Sequence, residues 1–265
     1  MPGPGERYRR FVAWDPDLYL RFGGPRLRPA ADLLARVPPV EAREVVDLGC
    51  GTGNVTRLLA ERWPGARVVG VDSSPEMLAR AKAELPELRW VEGDVAVWEP
   101  AGPVDVVASN ATLHWLDDHE TLLSRFAGWL RPGGVLAIQM PASFDEPSHV
   151  EAFEVARTGP WSGKYDRLRA RPVADPRQYV TWLSAHVEDL DVWTSTYVHL
   201  LEGDDPVVEW TSATLLRPLL GPLDGAEREE FLRRYRERMA AAYPALGNGR
   251  TPFPFRRLFI VARRR

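Results

Sequence analysis

Hydrophobic positions recur along this chain in two alternating rhythms. Short β-branched runs at residues 45–48, 67–71, 88–91, 104–108 and 135–140 are apolar on both faces. Between them, residues 54–63, 75–85 and 119–130 carry apolar side chains at helical spacing, among them Leu122, Leu123, Phe126 and Leu130. Strand and helix in turn, with strands apolar on both faces, predict a doubly wound α/β domain around a parallel sheet covered on both sides. An earlier helix is predicted from Pro29 to Pro38, with Ala30, Leu33, Leu34 and Val37 on one face. RPGG at 131–134 predicts a helix stop and a turn into the fifth strand.

After Met140 the rhythm breaks. Residues 141–186 are rich in proline and tryptophan and predict a mostly helical insertion. Residues 187–201 are strand-like, 206–220 and 226–243 helical, and RRLFIVARRR ends the chain as an apolar strand. Phe231, Tyr235, Met239 and Tyr243 recur every four positions on the last helix, whose charges form a solvated face. There is no internal repeat or low-complexity linker, so the expectation is one domain over 1–265. Within it, 1–38 form an N-terminal lid and helix, 39–141 the cofactor-binding half, and 142–186 and 202–255 helical insertions over an acceptor site.

Composition narrows the classes. With 265 residues, 45% of them hydrophobic, the chain can bury a sizeable core. A net charge of −3 points to neither a nucleic-acid nor a membrane partner, and no apolar run reaches the ~18 residues of a membrane span. Of 34 basic residues only Lys82 and Lys164 are lysine, which leaves 32 arginines. This is a compositional bias or, alternatively, a supply of guanidinium forks that match carboxylates in shape. A lone cysteine, Cys50, excludes an internal disulfide and a cysteine-based zinc site, and fits a reducing cytoplasm. No metal site is expected, MPGPGERYRR is not a secretory signal, and the oligomeric state is left open, a monomer being compatible with the sequence.

The candidate chemistry sits in VVDLGCGTGN, residues 45–54. Gly49, Gly51 and Gly53 form G-x-G-x-G, preceded by Asp47. A nicotinamide fold needs the wider G-x-G-x-x-G, and no GK[ST] follows to make a P-loop. The tight spacing lets backbone pass beneath a ligand without bulky phosphates, while the following helix N-terminus favours a carboxylate. Asp72 ends the second predicted strand, where a carboxylate meets ribose hydroxyls, and Asp94 ends the third, suited to an exocyclic adenine amine. A strand-end aspartate can also serve only as a helix cap, and Asp72 precedes such a helix. Together these features imply an adenosine derivative with a charged amino-acid tail, S-adenosylmethionine.

Residues 45–115 resemble class I S-adenosylmethionine-dependent methyltransferases. More narrowly, the chain is similar from end to end to the trans-aconitate 2-methyltransferases, through residues 14–37, VVDLGCGTGN, 61–78, SNATLHWLDDH (109–119), GGVLAIQMP (133–141), 191–201 and FPFRRLFIVAR (253–263). The resemblance implies a Rossmann-like, mostly parallel seven-stranded sheet with an antiparallel last strand, plus helical insertions forming a lid. It implies that Gly49, Gly51 and Gly53 pass under the methionine portion and that Asp72, with Ser73, binds ribose. Asp94 and Val95 would meet adenine, Met77 would pack on its ring or in the core, and Asn110 would contact cofactor or acceptor. Arg28 would pair with a carboxylate or stand as a surface arginine.

A substrate carboxylate, with a pKa of ~4, is already a nucleophile at neutral pH and needs placement rather than a base. No residue stands out as a catalytic base. His114 is the best candidate and reads better as a hydrogen-bonding wall. A polycarboxylate acceptor calls for Arg26, His114, Gln139, Arg217 and Arg256 or its neighbour Arg257, with Trp14, Tyr19, Phe22, Trp115 and Trp210 closing over the bound pair. Three rival readings stay open here. A nucleic-acid or protein N-methyltransferase would carry D/N-P-P-Y where this chain has SNATLHW. An O- or C-methyltransferase of another small molecule shares the cofactor motifs, and so does a non-catalytic binding module.

Overall fold

Apolar side chains on both faces of a strand are satisfied only inside a covered sheet. In the computed structural model, which describes residues 24–165, 173–212 and 214–265, EVVDL forms such a strand, β1 (Glu44–Leu48), buried from Val45 onward. It is joined by β2 (Arg67–Asp72), β3 (Arg89–Glu92), β4 (Val104–Asn110), β5 (Leu130–Pro141), β6 (Val187–Leu201) and β7 (Thr251–Arg264). The seven strands stand in the order β3-β2-β1-β4-β5-β7-β6. The sheet is the mostly parallel, Rossmann-like one expected, with its last strand antiparallel. The order reverses between β1 and β4, so the crevice beyond their carboxyl ends is where a ligand binds in such sheets.

Helices α1 (Gly24–Arg36), α2 (Asn54–Arg62), α3 (Pro75–Glu84), α4 (His119–Trp129), α5 (Pro147–Thr158), α6 (Pro176–Leu183), α7 (Pro206–Ser212), α8 (Leu216–Leu220) and α9 (Gly225–Ala242) complete the described elements. Where spacing predicted a buried face, that face is buried: Val55, Leu58 and Leu59 in α2, and Leu122, Leu123 and Phe126 in α4. Three boundaries differ from the sequence expectation. Helix α1 starts at Gly24, and Pro29 lies inside it, where it removes one helical hydrogen bond. RPGG belongs to β5 as a bulge. Val104 pairs with Leu130 and Val106 with Val135, so β5 takes five steps where β4 takes two, helped by Gly133 at φ +77°. The helix expected over 206–220 is two shorter ones, α7 and α8.

The chain forms two compact units. The first comprises the described residues up to Met140 with Asp175–Trp193 and Leu258–Arg265, and the second comprises Pro141–Ala174 and Thr194–Arg257. The second has its own core, in which Trp161, Phe231, Tyr235, Met239, Tyr243 and Phe253 pack with Leu216 and Leu219. Two phenols finish it: Tyr235 Oη donates to the carbonyl of Ser148, and the Ser148 amide donates to Tyr243 Oη, both at 3.1 Å. These bonds satisfy buried backbone at the start of α5. Helix α9 opens on a capping box between Asp224 and Glu227. Its charged face ties Arg233 and Arg234 to Glu230 in exposed ion pairs.

Candidate active site

The chain leaves β1 through Gly49–Gly53, and all three glycines are left-handed, at φ +71°, +55° and +85°. A Cβ on Gly49 would collide with the Thr112 side chain, and one on Gly53 would lie 2.6 Å from the Trp90 ring. A Cβ on Gly51 would meet nothing within 4 Å, so among the described residues the loop backbone faces open space there. The loop is pinned to the end of β2. The Gly49 and Cys50 amides donate to the Val71 carbonyl at 2.7 and 3.0 Å. The Gly51 amide donates to Asp72 Oδ2 at 2.8 Å.

Asp47 lies beneath the loop, fully buried. Thr56 Oγ1 donates to its Oδ2 at 2.6 Å. Its Oδ1 is buried with no hydrogen-bond partner among the described residues, an atom that calls for a donor. Burial pushes the carboxyl up to about 7; the Thr56 bond opposes this and the charge of Asp72 adds to it. Cys50 is buried too, and burial, then Asp47 and Asp72, push its thiol far above the ordinary range.

Asp72, half-buried, accepts from the Gly51 amide through Oδ2 and from the Ser74 amide through Oδ1, at 2.8 and 2.9 Å. It is therefore not the helix cap. Ser74 is, accepting the Met77 amide through Oγ ahead of Pro75. Ser73 is exposed between them. Met77 stands 40% exposed, which leaves its thioether outside the core. Strand β3 stops at Glu92, so Asp94 sits two residues beyond it in a turn, exposed and accepting the Ala96 amide at 2.8 Å. Val95 points inward, and Arg125 clamps the Val95 and Ala96 carbonyls at 2.8 and 2.6 Å.

At the end of β4, Asn110 Oδ1 accepts from the side-chain amide of buried Gln139, its register partner on β5. Ala111 follows at φ +56°, an unusual conformation for a non-glycine residue. Thr112 Oγ1 then donates to the Gly49 carbonyl at 3.2 Å. A 3-10 turn, Leu113–Trp115, presents His114 half-buried and Trp115 56% exposed, their rings 4.6 Å apart. The structure thus gathers Asp47, the three glycines, Asp72, Asn110 and Gln139 around the ends of β1, β2, β4 and β5.

The other sequence candidates divide. Trp14, Tyr19, Phe22 and the side chain of Arg26 lie outside the described residues. Arg28 is exposed on α1, with Asp32 one turn on at 3.8 Å. Trp210, Arg217 and Arg256 belong to the second unit. There Trp210 packs with His199, Phe253 and Phe255, and Arg217 is exposed. Arg256 pairs with Asp145 and donates to the Ala142 carbonyl, which employs it as a local brace rather than as an open cation. Its neighbour Arg257 is the buried one, over the Phe255 ring, and burial holds it below the usual arginine range. Sequence reasoning missed Thr56, Trp90, Thr112 and Arg125. The one available signal was polar Thr56 at a buried position of an otherwise apolar helix face.

A methyltransferase-domain family model matches residues 45–134. The trans-aconitate 2-methyltransferase of Azoarcus sp. strain BH72 is 48% identical over 250 residues, 94% of this chain and 98% of that one. That of Escherichia coli is 44% identical over 251 residues, 95% of this chain and 98% of that one. Among solved structures, the YcgJ protein from Bacillus subtilis matches with a TM-score of 0.58 at 14% identity, over 90% of this chain and 98% of that one, a likeness of fold. With nearly half of its residues shared across almost the full length of such relatives, the chain belongs to the trans-aconitate 2-methyltransferase family of S-adenosylmethionine-dependent methyltransferases.

Proposed function

We propose that this protein transfers the methyl group of S-adenosylmethionine to a carboxylate of trans-aconitate, giving a monomethyl ester and S-adenosylhomocysteine. The observation that carries the reading is the match, at 44–48% identity and across nearly the whole chain, to proteins of that name. The first unit supports it with a donor and acceptor set that fits the cofactor. Asp47 Oδ1 offers a buried acceptor for an ammonium group, and the open side of Gly51 leaves room for the chain that carries it. Asp72 uses one lone pair on Oδ2 for the Gly51 amide and one on Oδ1 for the Ser74 amide, and keeps the others for ribose hydroxyls. Met77 and Asp94, both exposed, are the side chains this reading assigns to the purine.

The cofactor supplies an electrophilic methyl group on a sulfonium. What remains for the protein is placement. An ionised carboxylate needs no proton removed, so the Asn110–Gln139 pair, His114 and Trp115 act by orienting the acceptor and excluding water. His114 is assigned to hydrogen bonding rather than to base catalysis, since the reaction consumes no base.

Labelled S-adenosylmethionine incubated with a panel of polycarboxylates tests this directly. The expected product is a base-labile methyl ester on trans-aconitate, with little on citrate or cis-aconitate. Absence of an ester from every acid in the panel rejects the assignment.

A further inference from the structure

One buried polar contact in the first unit lies behind the turn that carries His114 and Trp115. His119, the first residue of α4, is 6% exposed. Its Nε2 lies 2.7 Å from the carbonyl of Leu113, and its Nδ1 lies 2.7 Å from Tyr179 Oη. A carbonyl can only accept, so Nε2 carries the proton, and in the neutral ring Nδ1 accepts from the tyrosine hydroxyl. Leu113 and Tyr179 are both completely buried. Tyr179 comes from α6, a helix fixed at its start by the Asp175–Gln178 capping box.

The turn is gripped at the preceding residue as well. Thr112 Oγ1 donates to Gly49 in the glycine loop. The Trp115 and Leu116 amides close the turn onto the Thr112 and Leu113 carbonyls at 2.9 Å. The segment is bounded by Ala111 at φ +56° and Asp118 at φ +51°, the two left-handed non-glycine residues among those described. Left-handed backbone at two such residues persists only where the surroundings over-determine it. The start of the turn is therefore referenced both to the cofactor loop, through Thr112, and to His119 and Tyr179, through the Leu113 carbonyl.

We propose that His119 and Tyr179 are positioning residues, a buried hydrogen-bonded pair that sets the Leu113–Trp115 turn and so fixes how His114 and Trp115 meet the acceptor. The acceptor part of this rests on the methyl-transfer reading above; the positioning of the turn does not. Helix α6, which lies outside the cofactor motifs, thereby takes part in acceptor recognition. Variation at position 179 would tune turnover without touching the cofactor.

Tyr179→Phe removes one hydroxyl and keeps the ring. Amide hydrogen exchange of Trp115 and Leu116 is expected to accelerate at least tenfold in that variant, while the amides of Leu58 and Leu59 in α2 keep their wild-type rates. This readout needs no acceptor, so it stands even if the polycarboxylate panel yields no ester. With trans-aconitate, kcat/KM is expected to fall five- to fifty-fold, and the S-adenosylmethionine dissociation constant to stay within twofold. His119→Gln keeps a donor for the Leu113 carbonyl and should retain more activity than His119→Phe. Wild-type exchange at Trp115 and Leu116 in a folded Tyr179→Phe protein overturns the proposal. Cofactor affinity lost in step with turnover also overturns it, because the pair would then serve the fold at large.

Discussion

Asp47 carries a carboxyl whose charge is decided by burial, and that makes its effect depend on pH. Its folded value of about 7 lies above the ordinary 3.8. Between those two values the unfolded chain has lost the proton and the native chain keeps it. This group's contribution to ligand-free stability therefore falls as pH rises across that window and is level above it. A cationic ligand prefers the ionised form, so affinity for S-adenosylmethionine should rise as pH passes through about 7. Asp47→Asn should flatten that rise and weaken binding at pH ~8 by about 1.5–3 kcal/mol, the worth of a hydrogen bond to a charged group. Calorimetry on both sides of neutrality checks it; equal affinities for variant and wild type in alkaline buffer would mean that the carboxylate does not touch the ligand. Asp47 and Asp72 were legible in the sequence because they close runs of β-branched residues, whereas Asp94 lies two residues past the end of β3. Their partners were not. Thr112 meets Gly49 across 63 positions of chain, and nothing local to either residue announces the contact.

At the level of elements, the glycine loop combines two constraints that its spacing alone does not separate. Gly51 is constrained by φ alone, and Gly49 both by φ and by the Thr112 side chain. Gly51→Ala should cost about 1–2 kcal/mol from left-handed strain. Gly49→Ala should cost clearly more, because the collision adds to the same strain. Adding Thr112→Gly to Gly49→Ala should recover part of the loss. Urea denaturation of the three variants gives the ordering, and equal costs at positions 49 and 51 would remove Thr112 from the account. The alternation of strands and helices was readable from period and β-branching, since the central strands are buried on both faces. The bulge at 131–134 was not. RPGG carries the residues of a turn, and only pairing with β4 keeps it in the strand. Helix α1 likewise runs through Pro29, because its buried stripe of Leu27, Ala30, Ala31 and Leu34 outweighs one missing hydrogen bond.

For the whole molecule, the arginine-rich surface forms many ion pairs that contribute little net stability. Arg233, Arg234 and Arg157 pair with glutamates on exposed helix faces, where water and salt screen the attraction. Raising NaCl to roughly 0.5 M should move the thermal midpoint by no more than about 2 °C. A drop well beyond that in a melting curve would show that the pairs act as a network. The fold class followed from sequence because a parallel sheet writes itself into local pattern. The second unit did not, since its core draws Phe253, Trp161 and Tyr235 from distant segments. Arg256 and Arg257 show the limit most sharply. They are adjacent and identical in type, yet one braces Asp145 and the other is buried over Phe255.

The shielding of Cys50 has a practical consequence. The only thiol in the chain sits within the glycine loop, 8% exposed and held protonated by burial and two neighbouring carboxylates, so maleimide dyes have no foothold on the native protein. A Val97→Cys substitution would then install one addressable handle on a position 73% exposed, three residues past Asp94. A fluorophore there could follow ligand arrival in real time with no background cysteine to remove.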